Sequence, residues 1–138
     1  LIRKITLTSL FGFALVVVLL LPFVSFGVSK EEMKIRRAGM DCASIVSALK
    51  ACAEKGARPP TTGQGLEALV ERPTVEPLPE DWARIAIQVP LDPWRQAYRY
   101  RELARDGILF RWEVRSIGPD GIAGNEDDIA REFEWEGR

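Results

Sequence analysis

The stretch QAYRYRELARDGILFRWEVRSIG, Gln96 to Gly118, decides how this chain folds. Tyr98 and Tyr100 alternate with Arg99 and Arg101, and Phe110, Trp112 and Val114 alternate with Arg111, Glu113 and Arg115. A period of two puts the apolar side chains on one face of an extended strand and the charges on the other. ARDG between the two runs supplies a turn, so the stretch predicts an antiparallel hairpin with one buried face. Just upstream, ARIAIQVPLDPW sets Ile85, Ile87 and Val89 in step, which predicts a further short strand before a turn at Pro90 and Pro93.

A sheet with one apolar face needs a second layer. KEEMKIRRAGMDCASIVSALKACAEKG, residues 30–56, can supply it as a helix. Met33, Ile35, Met40, Ile45, Val46, Leu49 and Cys52 recur with partial helical periodicity, and Gly56 followed by ARPP ends the run. Cys42 and Cys52 on one helix stand about 15 Å apart along its axis, beyond disulfide reach. They are expected as free packing residues, or as one contact with a partner chain. PTTGQGLEALVERP predicts a loop and a short helix over Gln64 to Val70, and TVEPLPEDW an irregular connector around Pro77 and Pro79. The fold class is α+β: a long N-terminal helix packed on a small antiparallel sheet.

From Ser9 to Val28 there is no charge, with Arg3 and Lys4 just ahead. Roughly 20 apolar residues match the hydrocarbon thickness of a bilayer. The leading positive charges favour a cytoplasmic N-terminus. Three readings fit this segment: a retained anchor, a cleaved secretory signal with Ser25-Phe26-Gly27 as its site, or a core helix. A remaining domain of about 110 residues could hardly cover the last. The division expected is therefore an anchor over residues 1–28 and an exported domain over residues 29–138. No strong breaker separates the two, so one continuous rod could join them.

Charge and composition exclude several functions. The 138 residues include no histidine, which removes the commonest general base and zinc ligand. No GxSxG, P-loop or GxGxxG occurs. From Glu113 onward eight acids face three arginines, which argues against nucleic acid as a partner. The remaining chemistry lies in SIGPDGIAGNEDDI, Ser116 to Ile129, where Asp120, Glu126, Asp127 and Asp128 crowd together. Calcium takes oxygens from carboxylates, carbonyls and water, and Gly118, Gly121 and Gly124 would let the loop fold inward. Asp120 and Asp127 could close on one ion. A solvated acidic turn leading into an acidic tail fits the same residues, and it is not an EF-hand.

PPTTGQGLEALVERP, VPLDPWRQAYRY and SIGPDGIAGNEDDI resemble, in order and spacing, the major pseudopilins of type II secretion systems. The likeness covers roughly residues 40–129. It implies the pseudopilin and type IV pilin-like fold: a long helix, half of it in the inner membrane, carrying a periplasmic domain with a small antiparallel sheet. It also implies a structural subunit and not an enzyme, one that assembles with its own kind and with other pseudopilin-like subunits to support protein export. No small-molecule substrate is implied. The family binds calcium in the loop after its last strands. By position the side-chain ligands would be Asp120 and Asp127 with Asp128, and the carbonyls would come from Ile117, Ser116 and Ile122. Asp92 is expected to serve the turn before Trp94 instead.

Several positions depart from the pattern. Lys4 and Ser9 stand where prepilin-like chains have the cut-site glycine and a glutamate used in assembly. Arg95 replaces the glycine after DPW, and Pro59 an aromatic before PTT. A second function therefore stays open: a calcium-binding adaptor of the same fold, anchored or secreted, that does not polymerise.

Overall fold

The computed structural model describes residues 27–56 and 58–137. Helix α1 spans Lys30–Gly56. Ser29 caps its start, its Oγ accepting the Glu32 amide at 3.0 Å, a contact that satisfies one of the free N–H groups of the first turn. Glu31 and Glu32 lie in that first turn and Lys55 in the last, the placement that the helix dipole favours. Ala38, Cys42, Ile45, Leu49 and Ala53 are the buried stripe, spaced three or four apart. Met33, Ile35 and Met40, apolar residues of the expected stripe, are exposed instead. Small side chains at Ala38, Cys42 and Ala53 leave room for the large aromatics that the sheet presents.

The sheet has three antiparallel strands in the order β1-β2-β3, with β1 at Arg99–Asp106, β2 at Leu109–Ser116 and β3 at Ile129–Glu136. Tyr100 sits opposite Val114, and Trp112 opposite Phe133, so these side chains share the face toward α1. Tyr100 stacks on Trp112 with ring centroids 5.2 Å apart. Together with Cys42, Ile45, Leu49, Leu66, Leu69 and Tyr98 they form one core. Fully burying a side chain of the Leu or Phe class contributes about 1.5–3 kcal/mol, so Leu49 and Trp112, both essentially inaccessible, rank among its chief supports.

The PTTGQGL segment closes one end of this core. Pro59 is fully buried, and the Tyr100 hydroxyl donates to the Pro60 carbonyl at 2.7 Å. Gln64 acts as a clip: its Oε1 accepts the Thr61 amide, and its Nε2 donates to the carbonyls of Val75 and Pro77, both at 2.8 Å. The proline-rich connector thereby gains the hydrogen bonds that its own sequence cannot make.

Three expectations need correction. Residues 85–89 form no strand. The amides of Ile85 and Ala86 both donate to the Leu69 carbonyl, and Ile87 is 88% exposed. That segment docks on a helical turn and, among the described residues, has no neighbouring strand to pair with. The short helix expected over Gln64 to Val70 is a single 3-10 turn, Leu66–Leu69. The residues read as an acidic tail form β3, because Ile129, Phe133 and Trp135 keep the two-residue period between the glutamates. The anchor expected over residues 1–28 lies, up to residue 26, outside the described residues. Among the described residues no helix is long and apolar enough to cross a membrane.

Candidate functional site

The β2–β3 connection carries the acidic loop, and a second turn buttresses it. In LDPWRQA, Pro93 follows Asp92 and the Arg95 amide returns to the Asp92 carbonyl at 2.8 Å. Asp92 is 3% exposed. Its Oδ1 accepts the amides of Trp94 (3.0 Å) and Gln96 (2.8 Å), and its Oδ2 accepts the Ser116 hydroxyl at 2.6 Å. Asp92 thus serves the turn, as expected, and also holds the first residue of the acidic loop. Gln96 adds a second tie, its Nε2 donating to the Gly118 carbonyl at 3.0 Å. The Gln96 amide also lies against Gly121, where an added Cβ would meet its Oε1 at 3.1 Å.

Within the loop, Asp120 folds back on its own turn. Its Oδ1 accepts the Ile122 amide and its Oδ2 the Asn125 side-chain amide, at 2.8 and 2.7 Å. Asp127 lies against Gly118, which takes φ +67°; a Cβ there would stand 2.6 Å from the Asp127 carbonyl oxygen and 2.9 Å from its Oδ2. Only glycine accommodates both the conformation and that approach. Ser116 and Ile117 are buried, whereas Ile122 is exposed.

Asp128 has a different setting from the other acids. Its Oδ2 accepts from Arg115 at 2.6 Å and from the Gly124 amide at 2.7 Å. Its Oδ1 is buried and has no hydrogen-bond partner among the described residues. Arg115 in turn donates to Glu113 at 2.7 Å, and Arg101 donates to the other oxygen of Glu113 at 3.0 Å. Burial alone would raise the Glu113 pKa, but these two guanidiniums outweigh it and hold the carboxyl below its ordinary range. Sequence reasoning passed over this network. Its signal was the alternation of arginine and glutamate on the polar faces of the two hairpin strands.

Asp120, Asp127, Asp128, Ser116, Ile117 and Ile122 therefore all lie on one loop, with Asp128 partly committed to Arg115. Asp120, Glu126 and Asp127 have no ion-pair partner among the described residues. Nor, among those residues, do three acidic or cysteine side chains converge as a metal-binding group. A cation here would accordingly draw on backbone carbonyls as well as carboxylates. The two cysteines are free. Cys42 is buried on α1 against the Ile129 carbonyl, and burial pushes its thiol up to about 11.

A long helix carrying a three-stranded antiparallel sheet with this acidic β2–β3 loop defines a protein of the pseudopilin class. The crystal structure of the major pseudopilin from the type 2 secretion system of enterohaemorrhagic Escherichia coli superposes with a TM-score of 0.64 at 32% identity, over 73% of this chain and 88% of that one. Residues 27–133 match the family described as type II secretion system (T2SS), protein G, and the chain belongs to that family of structural pseudopilins. Type II secretion system core protein G of Pectobacterium carotovorum is 38% identical over 103 residues, which cover 73% of this chain and 64% of that protein. The chain thus spans just under two thirds of that relative. The Vibrio cholerae core protein G is 33% identical over 140 residues, covering 96% of this chain and 93% of that one.

Proposed function

We propose that the chain is a structural subunit of a type II secretion pseudopilus-like assembly, held in the inner membrane by residues 9–28, with residues 29–138 in the periplasm. It would assemble with further copies and with other pseudopilin-like subunits to support protein export. The observation that carries this reading is the family match over residues 27–133 together with the fold match over 73% of the chain. It agrees with an exposed apolar set on the first half of α1, Met33, Ile35 and Met40, that a lone subunit leaves in water.

The same reading gives the loop a calcium ion. The donor set suits a hard cation, being all oxygen, and the buried Asp128 Oδ1 lacks any partner among the described residues, a condition that costs free energy unless something meets it. Asp120 and Asp127, with Asp128 and the carbonyls of Ser116, Ile117 and Ile122, would hold the ion, whose charge would offset their mutual repulsion. Thermal unfolding with millimolar calcium against excess EGTA tests it. The midpoint should rise with calcium by an amount equivalent to about 2–4 kcal/mol of ligand linkage, and Asp120→Ala should remove the rise. An unchanged midpoint leaves a solvated acidic turn.

Ser9, at the position of the family's assembly glutamate, favours a second reading: an adaptor of the same fold that does not polymerise. Crosslinking in membranes separates the two, since a ladder supports assembly and a lone monomer supports the adaptor.

A further inference from the structure

The solvent face of the sheet is electrically lopsided. Arg99 and Arg101 project from β1 at one edge, and Glu132, Glu134 and Glu136 from β3 at the other, because the register sets them on the face opposite the core. On β2 between them the charges are already satisfied. Both carboxylate oxygens of Glu113 are taken, by Arg101 and Arg115, and both terminal nitrogens of Arg115 are taken, by Glu113 and Asp128. Arg111 holds Glu134 at 3.1 Å.

Two edge residues are left facing the wrong charge. Arg99 lies directly opposite Arg115, and Glu132 directly opposite Glu113. Like charges across a strand pair repel, and Glu113 and Arg115 already direct their charges to other partners. Arg99 and Glu132 are exposed, and among the described residues neither has an ion-pair partner. They cannot neutralise each other within one subunit, since two strand spacings, about 9.5 Å of backbone, and the Arg101–Glu113–Arg115 network separate them.

We infer that the acidic β3 edge of one copy docks beside the basic β1 edge of the next, with Glu132 reaching Arg99. The contact rests on the assembly reading above and specifies a surface for it. The two edges are different surfaces, so the contact is head-to-tail. Each added copy leaves one edge of either sign free, and such contacts generate rings or open helical series rather than closed dimers. Pairing of like edges is disfavoured by their charge.

The test is crosslinking of the full chain in bacterial membranes, with wild type, Arg99→Glu, Glu132→Arg and the double variant. Each single reversal should lower the multimer bands roughly tenfold, and the double variant, in which positions 99 and 132 again carry opposite charges, should restore them. Misfolding is not expected to explain the losses. Each reversal replaces a like-charge opposition by an opposite-charge one, so the urea midpoint of the subunit should hold or rise. Single variants with a wild-type ladder overturn this docking and leave the assembly reading intact, as does a double variant no better than the singles. A wild-type chain that gives no ladder overturns both.

Discussion

Arg95→Gly should make this protein more stable. Asp92, Pro93, Trp94 and Arg95 form a turn with the Arg95 amide returning to the Asp92 carbonyl at 2.8 Å. Asp at the first position, Pro at the second and Gly at the fourth is the preferred sequence of a type I turn. This chain satisfies the first two and places arginine at the last, where φ is +68°. A residue with a Cβ pays about 1–2 kcal/mol in that left-handed region. Glycine removes this strain, and its greater freedom in the unfolded chain takes back about 0.4–1 kcal/mol. The Arg95 side chain is exposed and makes no hydrogen bond among the described residues, so little else is lost. The net gain is about 0.5–1 kcal/mol, a shift of about 0.5 M in urea midpoint for a domain of this size. Tryptophan fluorescence suits the assay, since Trp94 sits in the turn and Trp112 in the core. Arg95→Ala is the control: it removes the side chain but keeps the strain, and its midpoint should stay near wild type. If alanine stabilises as much as glycine, or glycine not at all, backbone strain is not the cause.

The same turn predicts the opposite effect at its anchor. Asp92→Ala removes three hydrogen bonds to a buried carboxylate and should cost about 2–4 kcal/mol in the same urea titration, with Asp92→Asn milder because it keeps an acceptor. The Glu113 carboxyl, held below its unfolded-state value, contributes stability that is fully present above the unfolded pKa and is lost as pH falls through the folded one. Urea midpoints should therefore decline in the acid range below the ordinary glutamate pKa, and less steeply for Glu113→Gln. Equal slopes for both proteins would show that the paired arginines do not stabilise the ionised form.

The hairpin was legible because its two runs carry aromatic residues at strict alternation, and the helix because ARPP ends it and alanines fill it. The errors have physical causes. Ile85, Ile87 and Val89 alternate as a strand would, but alternation cannot supply a neighbour, and the Leu69 carbonyl captured the amides first. In β3 Ile129, Phe133 and Trp135 share one face, yet Arg131 interrupts them there and Glu132, Glu134 and Glu136 made the segment read as solvated. Those acids are the polar face of a strand whose other face meets Trp112. On α1 the expected buried face was right at Ile45 and Leu49 but not at Met33, Ile35 and Met40, and the small residues Ala38, Cys42 and Ala53 complete it. A helix pressed against Trp112 and Tyr100 buries volume chiefly from the sheet's side.

The loop shows why its residues alone could not reveal their surroundings. Ser116 to Ile129 reads as a self-contained acidic turn, but its start is fixed from outside, by Asp92 on the Ser116 hydroxyl and by Gln96 on the Gly118 carbonyl. Its end is fixed by Arg115, which pairs with Asp128. Gly118 in turn lets Asp127 approach the backbone closely enough that a methyl group would collide. The VPLDPW turn and the acidic loop are therefore one mechanical unit, although more than twenty residues separate Asp92 from Ser116. Two motifs that look independent along the chain constrain each other in space. A change at Asp92 should then loosen the loop even though Asp92 stands outside the expected ligand set, because the loop's first carbonyls are placed by what Asp92 holds.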